Sequence, residues 1–102
     1  MSVIAAPRIE NPMHPGEVLD ELYLAPLDMS AGKLARALHV PRTRIERLVA
    51  GQTRLTPDTA HRLARFFRTT PQLWLAMQAS WDAVHGATDI DALEAIEPLE
   101  AA

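Results

Sequence analysis

Residues 30–55 constrain the fold of this 102-residue chain more than any other stretch. Apolar side chains recur there at the i, i+3, i+4, i+7 spacing that is typical of one face of an α-helix. They are Ala31, Leu34, Ala35 and Leu38. Ser30 comes directly before them and suits an N-cap, because its hydroxyl can accept a hydrogen bond from a free backbone N–H of the first turn. The pattern predicts a short helix that begins after Ser30.

A second and more basic helix is predicted directly after the first. Pro41 suits the first helical position, where its missing N–H is no loss, and Gly51 lies where a left-handed C-cap would fall. Ile45, Leu48 and Val49 form a narrow apolar stripe between them. The outer face and the exposed N-terminal end carry Arg42, Thr43, Arg44 and Arg47. Two short helices, a tight turn and a basic second helix predict a helix-turn-helix DNA reader, whose second helix enters the major groove.

Three further helices complete an all-α prediction of five helices. Pro15 opens the first of them, and Pro26 with the rest of the PLDM stretch (residues 26–29) ends it. Its predicted inner face consists of Val18, Leu19, Leu22 and Tyr23. Threonine–proline pairs at residues 56–57 and 70–71 are start signals for two more helices, the last of which runs to about His85. No run of residues alternates with period two, so we expect no sheet of consequence. The expected organisation is a flexible segment over 1–13, a helix-turn-helix domain over 14–86 and an acidic tail over 87–102.

The net charge of −3 hides a strong asymmetry along the chain. Residues 33–68 hold nine of the ten lysines and arginines and only two acids, Glu46 and Asp58, which is a local balance of +7. The remainder holds Arg8 and eleven acids. A local basic patch recruits phosphates, so the charge distribution supports nucleic-acid binding although the overall charge does not. The alternative is a set of solvated arginines on helix surfaces.

Several classes of function are disfavoured by what the sequence lacks. There is no cysteine, which excludes disulfides, thiol nucleophiles and cysteine-ligated metal sites. The four histidines are far apart and none pairs at metal-ligand spacing, and His14 is expected to cap a helix. No glycine-rich phosphate loop or nucleophile elbow is present, so we expect neither an enzyme nor a cofactor. No signal peptide or membrane span is recognisable, and a cytoplasmic location is expected.

The last predicted helix has more apolar surface than one domain requires. Its apolar residues cover more than one stripe, whereas a helix packed only on its own domain needs a single apolar face. A second burial surface is therefore indicated, and we predict a homodimer interface that includes Trp74, Met77 and Trp81. The alternative is a small domain that wraps this helix deeply.

The acidic tail is open to two interpretations. It contains five acids and no base, which is typical of a solvated and poorly ordered end. Ile90, Leu93 and Ile96 would nevertheless form a weak amphipathic turn or two, which favours a role in binding a partner.

Four sequence blocks resemble a known family. They are MHPGEVL at 13–19, SAGKLARALHVPRTRIERLVAG at 30–51, LTPDTAHRLARFF at 55–67 and WLAMQASWD at 74–82. Together they are similar to the HigA-type antitoxins of bacterial toxin–antitoxin modules, within the Xre/Cro-like group of helix-turn-helix proteins. The helix-turn-helix block alone is weakly diagnostic, and the other blocks are more specific. Many relatives carry a glutamine just after the cap of the helix before the reader, where this chain has Ala31 and Gly32.

The resemblance implies a compact lambda-repressor-like domain of five helices that dimerises through its last helix. It also implies a protein that neutralises a RelE-like, mRNA-cleaving toxin and represses its own operon. We predict that Thr43, Arg44 and Arg47 face the major groove, with Arg42 joining from the helix start. Phosphate contacts are expected from Ser30, Lys33 and Arg54.

The predicted toxin-binding acids lie away from the DNA-reading segment. They are Glu17, Asp20 and Glu21 in the first helix, which we favour over the tail because a folded helix loses less entropy on binding. Two other interpretations remain open. One is a stand-alone dimeric repressor with no toxin partner, and the other is an interaction module that has lost DNA binding.

Overall fold

The computed structural model describes residues 11–86 and 89–100, and all regular structure in those ranges is helical. Helix α1 is continuous through an α-helical turn (Pro15–Val18), a π-helical segment (Leu19–Leu24) and a final turn (Ala25–Leu27). The helices that follow are α2 (Ala31–Leu38), α3 (Arg42–Val49), α4 (Pro57–Phe67), α5 (Pro71–His85) and the short α6 (Ile90–Glu94). The all-α helix-turn-helix prediction is confirmed, and α6 adds a sixth helix in the region expected to be a tail.

The predicted helix starts are built by side-chain caps. Ser30 Oγ accepts a hydrogen bond from the Lys33 N–H at 3.1 Å, and His14 Nδ1 accepts one from the Gly16 N–H at 3.0 Å. The threonines before α4 and α5 cap in the same way. Helix α3 begins at Arg42, with Pro41 as its N-cap rather than its first residue. Gly51 has the left-handed φ of 72° expected of a residue that ends a helix.

The inner face of α1 differs from the prediction because of its π-helical segment. The Ala25 N–H donates to the Asp20 carbonyl five residues back, not four, which shifts the phase of the helix. Leu19 and Leu24 are both buried as a result, whereas Leu22 is 62% exposed. The placement of Leu22 on the inner face was therefore wrong, because it assumed a regular α-helical period.

One hydrophobic core is shared by α1 to α5. Its fully buried large side chains include Leu19, Leu34, Ile45, Leu48, Leu55, Leu63 and Trp74. Trp74 packs its ring against Tyr23 and Phe67, at centroid distances of 5.0 and 6.3 Å, and its Nε1 donates to Thr69 Oγ1 at 2.8 Å. Since Trp74 is 0% exposed, its assignment to a dimer interface is corrected: it belongs to the core of its own chain.

The start of α1 lies directly against the end of α3. A Cβ atom at Gly16 would overlap the backbone carbonyl oxygen of Leu48, so only glycine allows this approach. The contact holds the C-terminal end of α3 against α1 and leaves the N-terminal end of α3 exposed.

In the described ranges, no helix combines the length and the apolar character needed to cross a membrane.

Candidate nucleic-acid interface

Helix α3 buries one face and exposes the other. Ile45 and Leu48 are 0% and 2% exposed and anchor the helix to the core. The seven side chains predicted to contact DNA are all exposed. They are Ser30, Lys33, Arg42, Thr43, Arg44, Arg47 and Arg54. The helix therefore presents a basic surface, while Ile45 and Leu48 of its apolar stripe are buried and Val49 is partly buried.

A cleft of about 530 Å³ lies between α3, the loop that follows it and the start of α4. It brings together four of the predicted side chains, those of Thr43, Arg44, Arg47 and Arg54. Ser30, Lys33 and Arg42 do not line it. The sequence analysis missed the cleft residues Thr53, Thr56 and Asp58. The sequence offered one signal for them, which is their position directly after the predicted second helix of the helix-turn-helix.

Asp58 joins two arginines at the edge of this cleft. Its Oδ2 accepts hydrogen bonds from Arg44 Nη1 at 2.6 Å and from Arg62 Nε at 3.0 Å. Arg62 also donates through Nη1 to the Leu38 carbonyl at 2.9 Å, at the C-terminal end of α2. The hydrogen bonds from Arg62 and Arg44 lower the pKa of the Asp58 carboxyl, so it is ionised at neutral pH. Asp58 thereby connects α4 to α3, and Arg62 connects α4 to the end of α2.

Arg54 is held in a similar way by α5. Its two terminal nitrogens donate to the two oxygens of Asp82, each at 2.8 Å. Gln78 donates to Asp82 Oδ1 at 2.9 Å, and its own Oε1 accepts the Leu55 N–H at 2.7 Å. The hydrogen bond from Arg54 is the main cause of a lowered pKa at Asp82.

The two remaining arginines of α3 differ from each other. Arg42 pairs with Glu46 one helical turn later, at 3.1 Å. Arg47 takes part in none of the ion pairs formed among residues 11–86 and 89–100. Among the arginines of α3, Arg47 is therefore the one that no carboxylate of the described residues holds in an ion pair.

The apolar groove beside α5 shares no lining residue with the cleft. Met77 is half-buried in an apolar groove of about 420 Å³, which it lines with Met13, Val18, Leu73 and Ala76. Trp81 is also half-buried, with its ring 5.1 Å from that of His14 and 3.9 Å from that of His85. The predicted toxin-binding acids Glu17, Asp20 and Glu21 are exposed on α1 and line neither of these cavities.

Comparison with known proteins places this geometry in a family. A helix-turn-helix family model (HTH_3) matches residues 21–74. Virulence-associated protein I of Dichelobacter nodosus is 42% identical over 99 residues, which cover 97% of this chain and 92% of that protein. Antitoxin HigA-1 of Vibrio cholerae is 34% identical over 72 residues, covering 71% of this chain and 68% of that protein.

A solved structure extends the similarity to three dimensions. The Pseudomonas aeruginosa antitoxin HigA, solved with the higBA promoter, superposes with a TM-score of 0.79 and 35% sequence identity. The match covers 88% of this chain and 100% of that one. The chain therefore belongs to the helix-turn-helix family, in the group that includes the HigA antitoxins.

Proposed function

We propose that this protein is an antitoxin that binds operator DNA as a dimer and represses its own operon. The observation that carries the proposal is the cleft beside α3, where Thr43, Arg44, Arg47 and Arg54 meet. A fold that is shared with an antitoxin solved together with promoter DNA supports the same conclusion.

Each side chain has a proposed role in DNA binding. Thr43, Arg44 and Arg47 contact base edges in the major groove, and Arg42 joins them from the N-terminus of α3. An arginine that is bidentate to guanine contributes about 1–3 kcal/mol of discrimination. Ser30, Lys33 and Arg54 bind phosphates, which fix the register of the protein on the duplex but carry no sequence information.

The proposed dimer forms through α5. Its apolar groove, lined by Met77 and the exposed Leu73, and the half-buried Trp81 provide a surface that a second copy would bury. Symmetric dimers of helix-turn-helix proteins place two reader helices about 34–36 Å apart, one turn of DNA. The operator is therefore palindromic.

The proposed toxin is a small basic RNA-cleaving protein of the RelE-like class. Its inhibitor needs a surface of opposite charge, and complementary potentials accelerate association more than they increase affinity. Glu17, Asp20 and Glu21 supply that surface on α1, outside the DNA-reading cleft.

Operator binding is tested by gel shift with the upstream DNA of the gene. Arg47→Ala should reduce discrimination between operator and unrelated DNA, because it removes a base-reading arginine. Lys33→Ala is the matched comparison, since loss of a phosphate contact weakens binding to all sequences alike and reduces the salt slope. Unchanged operator binding by Arg44→Ala/Arg47→Ala would contradict the assignment.

Toxin neutralisation is tested by co-expression with the adjacent gene product, followed by purification and a growth-rescue assay. Asp20→Lys/Glu21→Lys should weaken rescue, whereas deletion of residues 88–102 should leave it largely intact. Loss of rescue only in the truncated chain would assign the inhibitor to the tail. If neither change matters and no complex forms, the protein is a stand-alone repressor.

A further inference from the structure

We propose that Asp58 is a positioning residue that sets DNA sequence specificity by holding the guanidinium of Arg44 and offsetting its charge. This inference rests on the proposed DNA-binding function and adds a residue that does not itself read a base. The carboxylate lies at the edge of the reader cleft, within hydrogen-bonding distance of Arg44 on α3.

Contacts other than the one with Arg44 hold the Asp58 carboxylate in place. Arg62 binds Asp58 Oδ2 through Nε and reaches the Leu38 carbonyl with Nη1, which ties the pair to the end of α2. Asp58 itself lies in the first turn of α4, where a negative charge is favoured by the helix dipole. The carboxylate that accepts from Arg44 is therefore held by α4 and, through Arg62, by the end of α2. Arg44 itself lies on α3.

The pair leaves Arg44 able to bind a base. A guanidinium carries five N–H donors in a rigid plane, and the hydrogen bond to Asp58 uses the Nη1 nitrogen. The remaining donors are available for a guanine edge. Fixing a long side chain before binding reduces the conformational entropy that is lost when the complex forms.

The charge of Asp58 affects the binding of operator DNA and the binding of unrelated DNA differently. Unrelated sequences are bound almost entirely through phosphates, and an anion next to the cleft opposes those contacts. The operator also supplies base edges, whose hydrogen bonds with a positioned Arg44 compensate for that repulsion. Exposed ion pairs of this kind contribute little to folding, and the Asp58 side chain is 56% exposed, so its main effect falls on binding.

The test uses Asp58→Asn in the full chain. Fluorescence anisotropy would measure affinity for the operator duplex and for an unrelated duplex of equal length, at several salt concentrations. We expect the unrelated duplex to bind more tightly, with a log–log salt slope steeper by about 0.9, the value for one additional phosphate contact. The ratio of the two affinities should fall roughly fivefold or more, the order expected when a bidentate arginine is no longer positioned.

Asp91→Asn is the matched control, because it makes the same change in charge on α6, outside the cleft. It should leave the affinity ratio at the wild-type value. In an Arg44→Ala background, Asp58→Asn should change the ratio much less than it does alone, since coupled residues give non-additive effects. A circular dichroism melt of each variant verifies that it is folded.

Two results would overturn the inference while operator binding stands. One is a wild-type affinity ratio in Asp58→Asn, and the other is an equal loss of ratio in Asp91→Asn. If the wild-type protein itself does not distinguish operator from unrelated DNA, the DNA-binding function fails and the inference fails with it.

Discussion

At the scale of single residues, Gly16 determines how closely α1 approaches α3. Gly16→Ala should lower the free energy of unfolding by about 1–3 kcal/mol, the usual cost of overpacking, because the Leu48 carbonyl oxygen occupies the space a methyl group needs. The measurement is urea denaturation followed by circular dichroism.

Gly32 provides the comparison for that experiment. A Cβ at Gly32 would lie 3.5 Å from Arg42 Cδ, which is ordinary van der Waals contact. Gly32→Ala should therefore be neutral or stabilise the fold by up to about 1 kcal/mol, through the better helix propensity of alanine. Equal destabilisation by both substitutions would show that the close approach at Gly16 is not the cause.

His14 should make stability depend on pH. Burial lowers the pKa of His14 below its ordinary value of 6.5, although the Thr53 backbone, Glu17 and Asp82 act in the opposite direction. The unfolded chain then binds a proton more readily, so the stabilisation is complete above pH 6.5 and is lost as pH falls through the folded-state pKa. Protonation would also remove the Nδ1 acceptor that caps α1.

The pH effect is checked by urea denaturation at pH 7.5 and pH 5.5. His14→Asn retains a capping acceptor but does not titrate, so its unfolding free energy should decrease less between the two values than that of the wild type. Asp58 and Asp82 have pKa values lowered from 3.8 and do not titrate in this window. An equal decrease in both proteins would assign the effect to other groups.

At the scale of helices, the sequence predicted most of the fold because the signals are local. A cap, a proline and an apolar period lie within a few residues of each other, as at residues 56–67 before and within α4. The π-helical segment of α1 was not predictable in this way. It depends on how Leu19 and Leu24 both reach the core, and an analysis based on a period of 3.6 assigns Leu22 there instead.

The candidate site was predicted only in part for a related reason. Exposed arginines on α3 follow from the apolar stripe opposite them. The carboxylates that bind the arginines do not follow from a local pattern. Asp58 is 14 residues from Arg44 on α3, and Asp82 is 28 residues from Arg54 in the loop after α3. Trp74 was assigned to an interface because the surplus apolar surface of α5 was evident. The rings that cover it come from Phe67 at the end of the preceding helix and from Tyr23 on α1, which is 51 residues away.

At the scale of the whole molecule, assembly is the main prediction. Leu73 is 42% exposed beside the apolar groove of α5, and burying a glutamate there in a dimer would be unfavourable. At micromolar protein concentration, sedimentation velocity should therefore show a dimer for the wild type and a monomer for Leu73→Glu. Leu27→Glu makes the same change at a 57% exposed site on α1 and should leave the dimer intact. A monomeric wild-type protein, free and on operator DNA, would exclude dimerisation.

The hydrogen-bonded path through Arg54, Asp82, Gln78 and Leu55 connects the loop after α3 to helix α5. A displacement of α5 that keeps these hydrogen bonds would therefore move the Arg54 guanidinium, which lines the proposed DNA-binding cleft. Coupling free energies between two sites are reciprocal. If the proposed dimer forms through α5, the factor by which dimerisation changes operator affinity must equal the factor by which operator changes the dimerisation constant. Protein concentration and operator occupancy would then form one thermodynamic cycle, in which added operator favours the dimer if the dimer binds operator more tightly than the monomer does.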